Sequence, residues 1–149
     1  MIRFTQANIS EAEDRYVLDA LHNSKLSGDG KYTELVYEEF RKRFGIEHML
    51  LTTSGTTALE MASILSNLNQ GDEVIVPSFT FSSTANAFML RGAKPVFCDI
   101  RKDTYNIDET LIEGLITPKT KAIYVVDYAG FPCEMDTINA IAKRYGLIV

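Results

Sequence analysis

At 149 residues, with 46% hydrophobic and 23% charged side chains, the chain has the composition of a folded globular protein and the length of about one domain, which excludes intrinsic disorder. A formal net charge of -5, with basic residues scattered rather than clustered, argues against nucleic acid as a partner. The first residues carry no apolar signal core and no apolar run approaches membrane-spanning length, so a cytoplasmic protein is expected.

Ser10-Glu11-Ala12-Glu13 reads as a capping box, after which Ala12, Tyr16, Val17, Ala20 and Leu21 recur at helical spacing, predicting a helix to about residue 24. Ser27-Gly28-Asp29-Gly30 breaks that pattern. Leu35, Val36, Phe40 and Phe44 then mark a second amphipathic helix ended by Gly45. Residues 1–45 are therefore read as a helical segment, and residues 46–149 as the first part of a larger α/β domain.

From residue 46 short apolar runs alternate with helical patterns. Strands are predicted over 49–52, 74–76, 95–99 and 122–126, and helices over 56–68, 83–91, 109–116 and 135–145. Apolar strands separated by helices specify a parallel sheet covered on both faces, a three-layer α/β/α architecture. Leu147-Ile148-Val149 begins a further strand, and because the chain stops inside that apolar run it is read as truncated. Cys98 and Cys133 have neither zinc nor redox spacing, and no metal cluster can be assembled from the carboxylates and the two histidines.

The most informative stretch is Ser54-Gly55-Thr56-Thr57, which joins an apolar run to a helix. The first N–H groups of a helix lack intrahelical partners, the dipole adds positive potential there, and a glycine admits close approach, so the junction suits a phosphate. The hydroxyls of Ser54, Thr56 and Thr57 offer further donors, although Ser and Thr are equally ordinary helix caps. Neither a dinucleotide fingerprint nor a P-loop is present.

In order along the chain, Ser54-Gly55-Thr56-Thr57-Ala58-Leu59, Gly71-Asp72-Glu73-Val74-Ile75-Val76-Pro77-Ser78-Phe79-Thr80-Phe81 and Asp127-Tyr128-Ala129-Gly130 resemble the N-terminal portion of the DegT/DnrJ/StrS family of sugar aminotransferases. Lys25-Leu26-Ser27-Gly28-Asp29-Gly30 and Asn106-Ile107-Asp108-Glu109 are most similar to those of its dTDP-4-amino-4,6-dideoxygalactose transaminases. The resemblance implies an incomplete large domain of the fold-type-I pyridoxal-phosphate (PLP) enzymes, a homodimer, and ping-pong transfer of an amino group from glutamate to a nucleotide-linked 4-keto-6-deoxyhexose. A product of that kind suits lipopolysaccharide and related surface glycans.

It further implies that Ser54, Gly55, Thr56 and Thr57 hold the cofactor phosphate and that Phe81 stacks on the cofactor ring, where core packing is the alternative for Phe81. Ser27, Gly28 and Lys31 match a segment near the substrate, but also suit a plain turn with a solvated lysine. Tyr128 follows a strand end, where substrate-facing residues belong, or else covers the sheet edge. Many members carry histidine where this chain has Asp127, which bears on substrate charge if that position faces the site. No catalytic residue is assigned: the lysine that bonds the cofactor and the acid that holds its ring nitrogen are expected beyond Val149, so this chain alone is expected to be inactive. Two alternatives stand beside this reading, a dehydratase of the same family that uses the amine form of the cofactor, and a non-catalytic fragment acting in binding or dimerisation.

Overall fold

The computed structural model describes residues 6–22 and 25–149, which divide into two compact units, Met1–Leu51 and Thr52–Val149. In the first unit, α1 (Glu11–His22) opens on the predicted capping box: the Ser10 N–H donates to Glu13 Oε2 at 2.7 Å and the Ala12 N–H to Ser10 Oγ at 3.3 Å. The predicted end of this helix at residue 24 lies outside the described residues. Helix α2 (Lys31–Phe44) follows the Ser27–Gly30 break and closes where predicted, on Gly45 in the left-handed region with its N–H on Arg41 C=O. No residue of either helix is buried.

Residues 49–52 form no strand, against the expectation from their apolar pattern. An apolar run becomes a strand only when a neighbour accepts its backbone hydrogen bonds, and Leu50 and Leu51 are exposed.

The second unit is a three-stranded parallel sheet in the order β2-β1-β3, with β1 Glu73–Pro77, β2 Lys94–Cys98 and β3 Thr120–Ile123. Ile75 pairs with Val96 on one side and Ile123 on the other. The ladder has a register irregularity between Glu73 and Val74, and β3 runs earlier than predicted, so Val125 and Val126 lie beyond the strand. Ile148 makes a parallel bridge to Ala122, a third pairing, at the β3 edge.

Helices α3 (Gly55–Leu65), α4 (Ser82–Met89), α5 (Glu109–Leu115) and α6 (Met135–Tyr145) cover the sheet. Successive residues of a strand face opposite ways, and β1 shows the result. Ile75 packs with Cys98, Ile107, Ile112, Ile123 and Ile138 on the α5/α6 side, whereas Val74 and Val76 pack with Leu68, Ala85 and Phe88 on the α3/α4 side. The predicted three layers are thus present. Asp108 caps α5, its carboxylate accepting from the Thr110 N–H at 3.0 Å, and buried Ser63 reaches across to the Tyr124 hydroxyl at 2.9 Å.

Candidate functional site

The strand order fixes where a ligand belongs. The chain leaves β1 for β2 on one side and then crosses to β3 on the other, so connections diverge beyond the carboxyl ends of β1 and β3, and such a switch point opens a crevice. A cleft of about 910 Å3 lies there, lined by Phe79, Thr80 and Phe81 after β1, by Val126 and Tyr128 after β3, and by the first turns of α3 and α4. That volume falls in the range of small-molecule and cofactor sites.

At the head of α3, Ser54 is extended and its Oγ accepts from the Thr57 N–H at 3.1 Å, with the Thr57 hydroxyl 3.0 Å away. The Ala58 N–H reaches Ser54 C=O at 3.1 Å. Ser54 and the Thr57 N–H are therefore occupied with capping, and the N–H groups of Gly55 and Thr56, which precede the first intrahelical bond, are the ones open to a ligand. A Cβ added to Gly55 would meet nothing within 4 Å, so the space in front of this turn is free for a phosphate. Phe81 lines the same cleft and is 76% exposed. Below it the Thr84 N–H bonds to Phe81 C=O at 3.0 Å and the Thr80 and Thr84 hydroxyls pair at 2.8 Å, fixing the start of α4.

Phe79 and Tyr128 give the cleft an aromatic wall. The Phe79 and Tyr128 rings meet edge to face at 5.1 Å, and Tyr105 completes a triangle at 5.6 Å from Phe79 and 5.9 Å from Tyr128. Asp127, which precedes Tyr128, is committed to the loop: its Oδ1 accepts from the Cys133 N–H at 2.9 Å. Cys133 Sγ donates to Val126 C=O at 3.3 Å, and burial, followed by the Asp127 carboxylate, pushes this thiol up to about 11. Cys98 is likewise raised to about 11, chiefly by burial, so both thiols stay neutral and unreactive at neutral pH.

Ser27, Gly28 and Lys31 lie in the first unit. Lys31 Nζ is held 2.8 Å from Asp19 Oδ2, which also accepts from the Tyr32 hydroxyl at 2.6 Å and keeps the Lys31 ammonium protonated. Among the described residues, no lysine or carboxylate lines the cleft, and no group of three or more His, Cys, Asp and Glu is placed to hold a metal. No described helix is long and apolar enough to cross a membrane.

A parallel sheet between helical layers, with a cleft at its switch point, is an α/β domain, and the solved structures give it a class, the PLP-dependent aminotransferase fold. An aminotransferase from Psychrobacter cryohalolentis is similar at 31% identity and a TM-score of 0.88, covering 95% of this chain and 36% of its own. A GDP-4-keto-6-deoxymannose-3-dehydratase with a trapped PLP-glutamate geminal diamine aligns at 27% identity and a TM-score of 0.89, covering 99% of this chain and 40% of its own. The chain belongs to the DegT/DnrJ/EryC1/StrS aminotransferase family, which it matches over residues 7–149. GDP-perosamine synthase of Caulobacter vibrioides is 39% identical over 137 residues, 92% of this chain and 37% of that protein. The chain thus spans little more than a third of the length of the curated relatives it matches. Family and neighbours together indicate pyridoxal phosphate as the cofactor.

Proposed function

We propose that these residues form the phosphate- and ring-binding part of a nucleotide-sugar aminotransferase that works as a homodimer and moves an amino group from glutamate to a nucleotide-linked 4-keto-6-deoxyhexose. The observation that carries this reading is the meeting, in one cleft at the switch point, of two open helix N–H groups and an exposed aromatic ring. Gly55 and Thr56 hold the phosphate through their N–H groups, with the Thr56 hydroxyl and helix dipole assisting, while Ser54 and Thr57 keep that turn rigid. Phe81 fixes the plane of the ring by stacking, worth about 0.5–1.5 kcal/mol. Tyr128 bounds the side where substrate enters. When bound, pyridoxal phosphate supplies the electron-accepting ring and the carbon that carries the amino group between the two substrates. The lysine and acid this chemistry requires are assigned to no residue of this chain.

The test is Gly55→Pro in the full gene product in which these residues occur. Proline at the first helical position keeps the helix and deletes one phosphate donor, and the extended Ser54 before it already has the conformation a proline requires. Loss of a charge-assisted hydrogen bond of about 1.5–3 kcal/mol predicts at least roughly tenfold weaker binding of pyridoxal phosphate, read by the absorbance of the bound cofactor. Unchanged binding would sink this reading. The likeness to the dehydratase favours a second one, in which the same cradle serves deoxygenation of a nucleotide-linked keto sugar; net transfer of nitrogen from labelled glutamate to the sugar separates the two.

A further inference from the structure

Asn106 is 2% exposed and does not itself line the cleft. Its amide is used at both ends: Oδ1 accepts from the Tyr128 N–H at 2.9 Å, and Nδ2 donates to Phe131 C=O at 2.9 Å. These two bonds bracket the turn Tyr128–Gly130, in which Ala129 and Gly130 both take the left-handed region, at φ 53° and 84°. An alanine there is strained by about 1–3 kcal/mol and persists only where its surroundings over-determine it. The Asn106 amide and the Asp127–Cys133 bond supply that constraint.

The support beneath Asn106 is itself rigid. Arg101 binds Asp103 through Nε at 3.1 Å and Nη2 at 2.9 Å and Glu109 through Nη1 at 3.1 Å, and its N–H donates to Asn106 C=O at 2.8 Å. The Asp108 N–H closes the segment on Asp99 C=O at 2.9 Å, and Ile100 bridges Ile107. Tyr105, next to Asn106, is a second non-glycine residue with positive φ, at 62°. The turn there separates two neighbours that would otherwise compete for one side: the Asn106 amide goes inward, while the Tyr105 ring, 50% exposed, joins Phe79 and Tyr128. One short segment therefore fixes Tyr128 twice, by its backbone through Asn106 and by its ring through Tyr105.

We infer that Asn106 is a positioning residue for substrate, acting through Tyr128 and not through the cofactor. The inference rests on the aminotransferase reading, in which both substrates enter the one cleft that Tyr128 bounds. Without the amide the Tyr128–Gly130 turn relaxes, the aromatic wall shifts, and the substrate loses its aligned pose, while the phosphate cradle at α3 is untouched.

The test is a double-mutant cycle in the full gene product loaded with pyridoxal phosphate, following conversion of the cofactor to its amine form by glutamate in single-turnover absorbance. Misplacement of a reacting group by about 1 Å costs up to about 100-fold, so Asn106→Ala is expected to raise half-saturating glutamate roughly tenfold or more and to leave cofactor affinity within about twofold. In a Tyr128→Ala background the same change is expected to add less than about twofold, because both substitutions remove one and the same constraint. Independent, multiplying effects, an unchanged glutamate dependence, or a parallel loss of cofactor affinity overturn the inference. If Asn106→Ala does not fold, Asn106→Asp, which keeps the acceptor for Tyr128 and loses the donor to Phe131, is run through the same cycle with the same criteria. A wild-type protein that binds no cofactor, or binds it and does not react with glutamate, overturns the aminotransferase reading itself, and the inference falls with it.

Discussion

The two units of this chain use the same kind of residues to different effect. In Met1–Leu51 the apolar stripes of α1 and α2 are present, yet Val17, Leu21, Leu35 and Phe44 are all exposed, and order rests on local devices: the Ser10–Glu13 cap, the Lys31–Asp19 ion pair and the edge-to-face Tyr16–Tyr32 contact at 5.7 Å. In Thr52–Val149 the side chains of β1 are buried on both faces of the sheet. Amphipathic spacing is enough to define a helix, but only strands that bring distant residues together convert apolar surface into a core, at about 25 cal/mol per Å2 removed from water.

The largest expected effect tests that contrast directly. Ile75→Ala, at a fully buried position between two helices and two strands, should cost about 2–5 kcal/mol in urea unfolding, whereas Phe44→Ala should stay within about 0.5 kcal/mol. An equal cost at Phe44 would show that its face is covered in solution and erase the difference between the units. A smaller effect compares two glycines. Gly92 has φ 81° and a Cβ there would stand 3.0 Å from Gln70 Cα, so Gly92→Ala should destabilise by about 1–3 kcal/mol, while Gly28→Ala, with nothing within 4 Å, should be neutral or stabilise by up to about 1 kcal/mol. Melting temperatures of the two variants decide it.

Next comes the cap of α3. Ser54→Ala removes the acceptor of the Thr57 N–H and should cost about 1 kcal/mol in equilibrium unfolding, with weaker cofactor binding because the turn that presents Gly55 and Thr56 frays. The effect that is smallest at neutral pH is silent below about pH 9. Both cysteines belong to the second unit and are raised in the folded state from an ordinary 9.0 to about 11. A pKa raised by folding leaves stability unaffected below the unfolded value and lowers it as pH rises through the folded one, so unfolding free energy should be flat to about pH 9 and decline between about 9 and 11. Substituting Cys98 and Cys133 by Ala should remove that decline. A decline that persists in the double variant assigns it to other groups.

What was legible in the sequence follows from the range of each signal. Helix α6 begins and ends where its pattern does, and Gly45 and the capping box mark their helices, because these cues act over one turn. The start of α3 was legible for the same reason, with Ser54 as its cap, and the N–H groups left for the proposed phosphate are those of Gly55 and Thr56. Residues 49–52 have the right composition for a strand, but composition supplies no neighbour. Asn106 stood in a recognised motif and still gave no hint of its partners, which are 22 and 25 residues away and are joined to it only by the tertiary fold. For Asp127 the sequence left open whether the position faces the site, and the bond from the Cys133 N–H gives its carboxylate a place within the loop.

The place of β1 in the middle of the sheet also sets the order of events on the ribosome. The chain Glu73-Val74-Ile75-Val76-Pro77 emerges before either neighbour exists, with both of its edges bare. At roughly 5–20 residues per second, several seconds pass before β3 is complete. For that interval an apolar strand stands with both edges unpaired, and what the nascent chain meets then, β2 arriving behind α4 or a neighbouring polypeptide, decides whether it enters this fold or an aggregate.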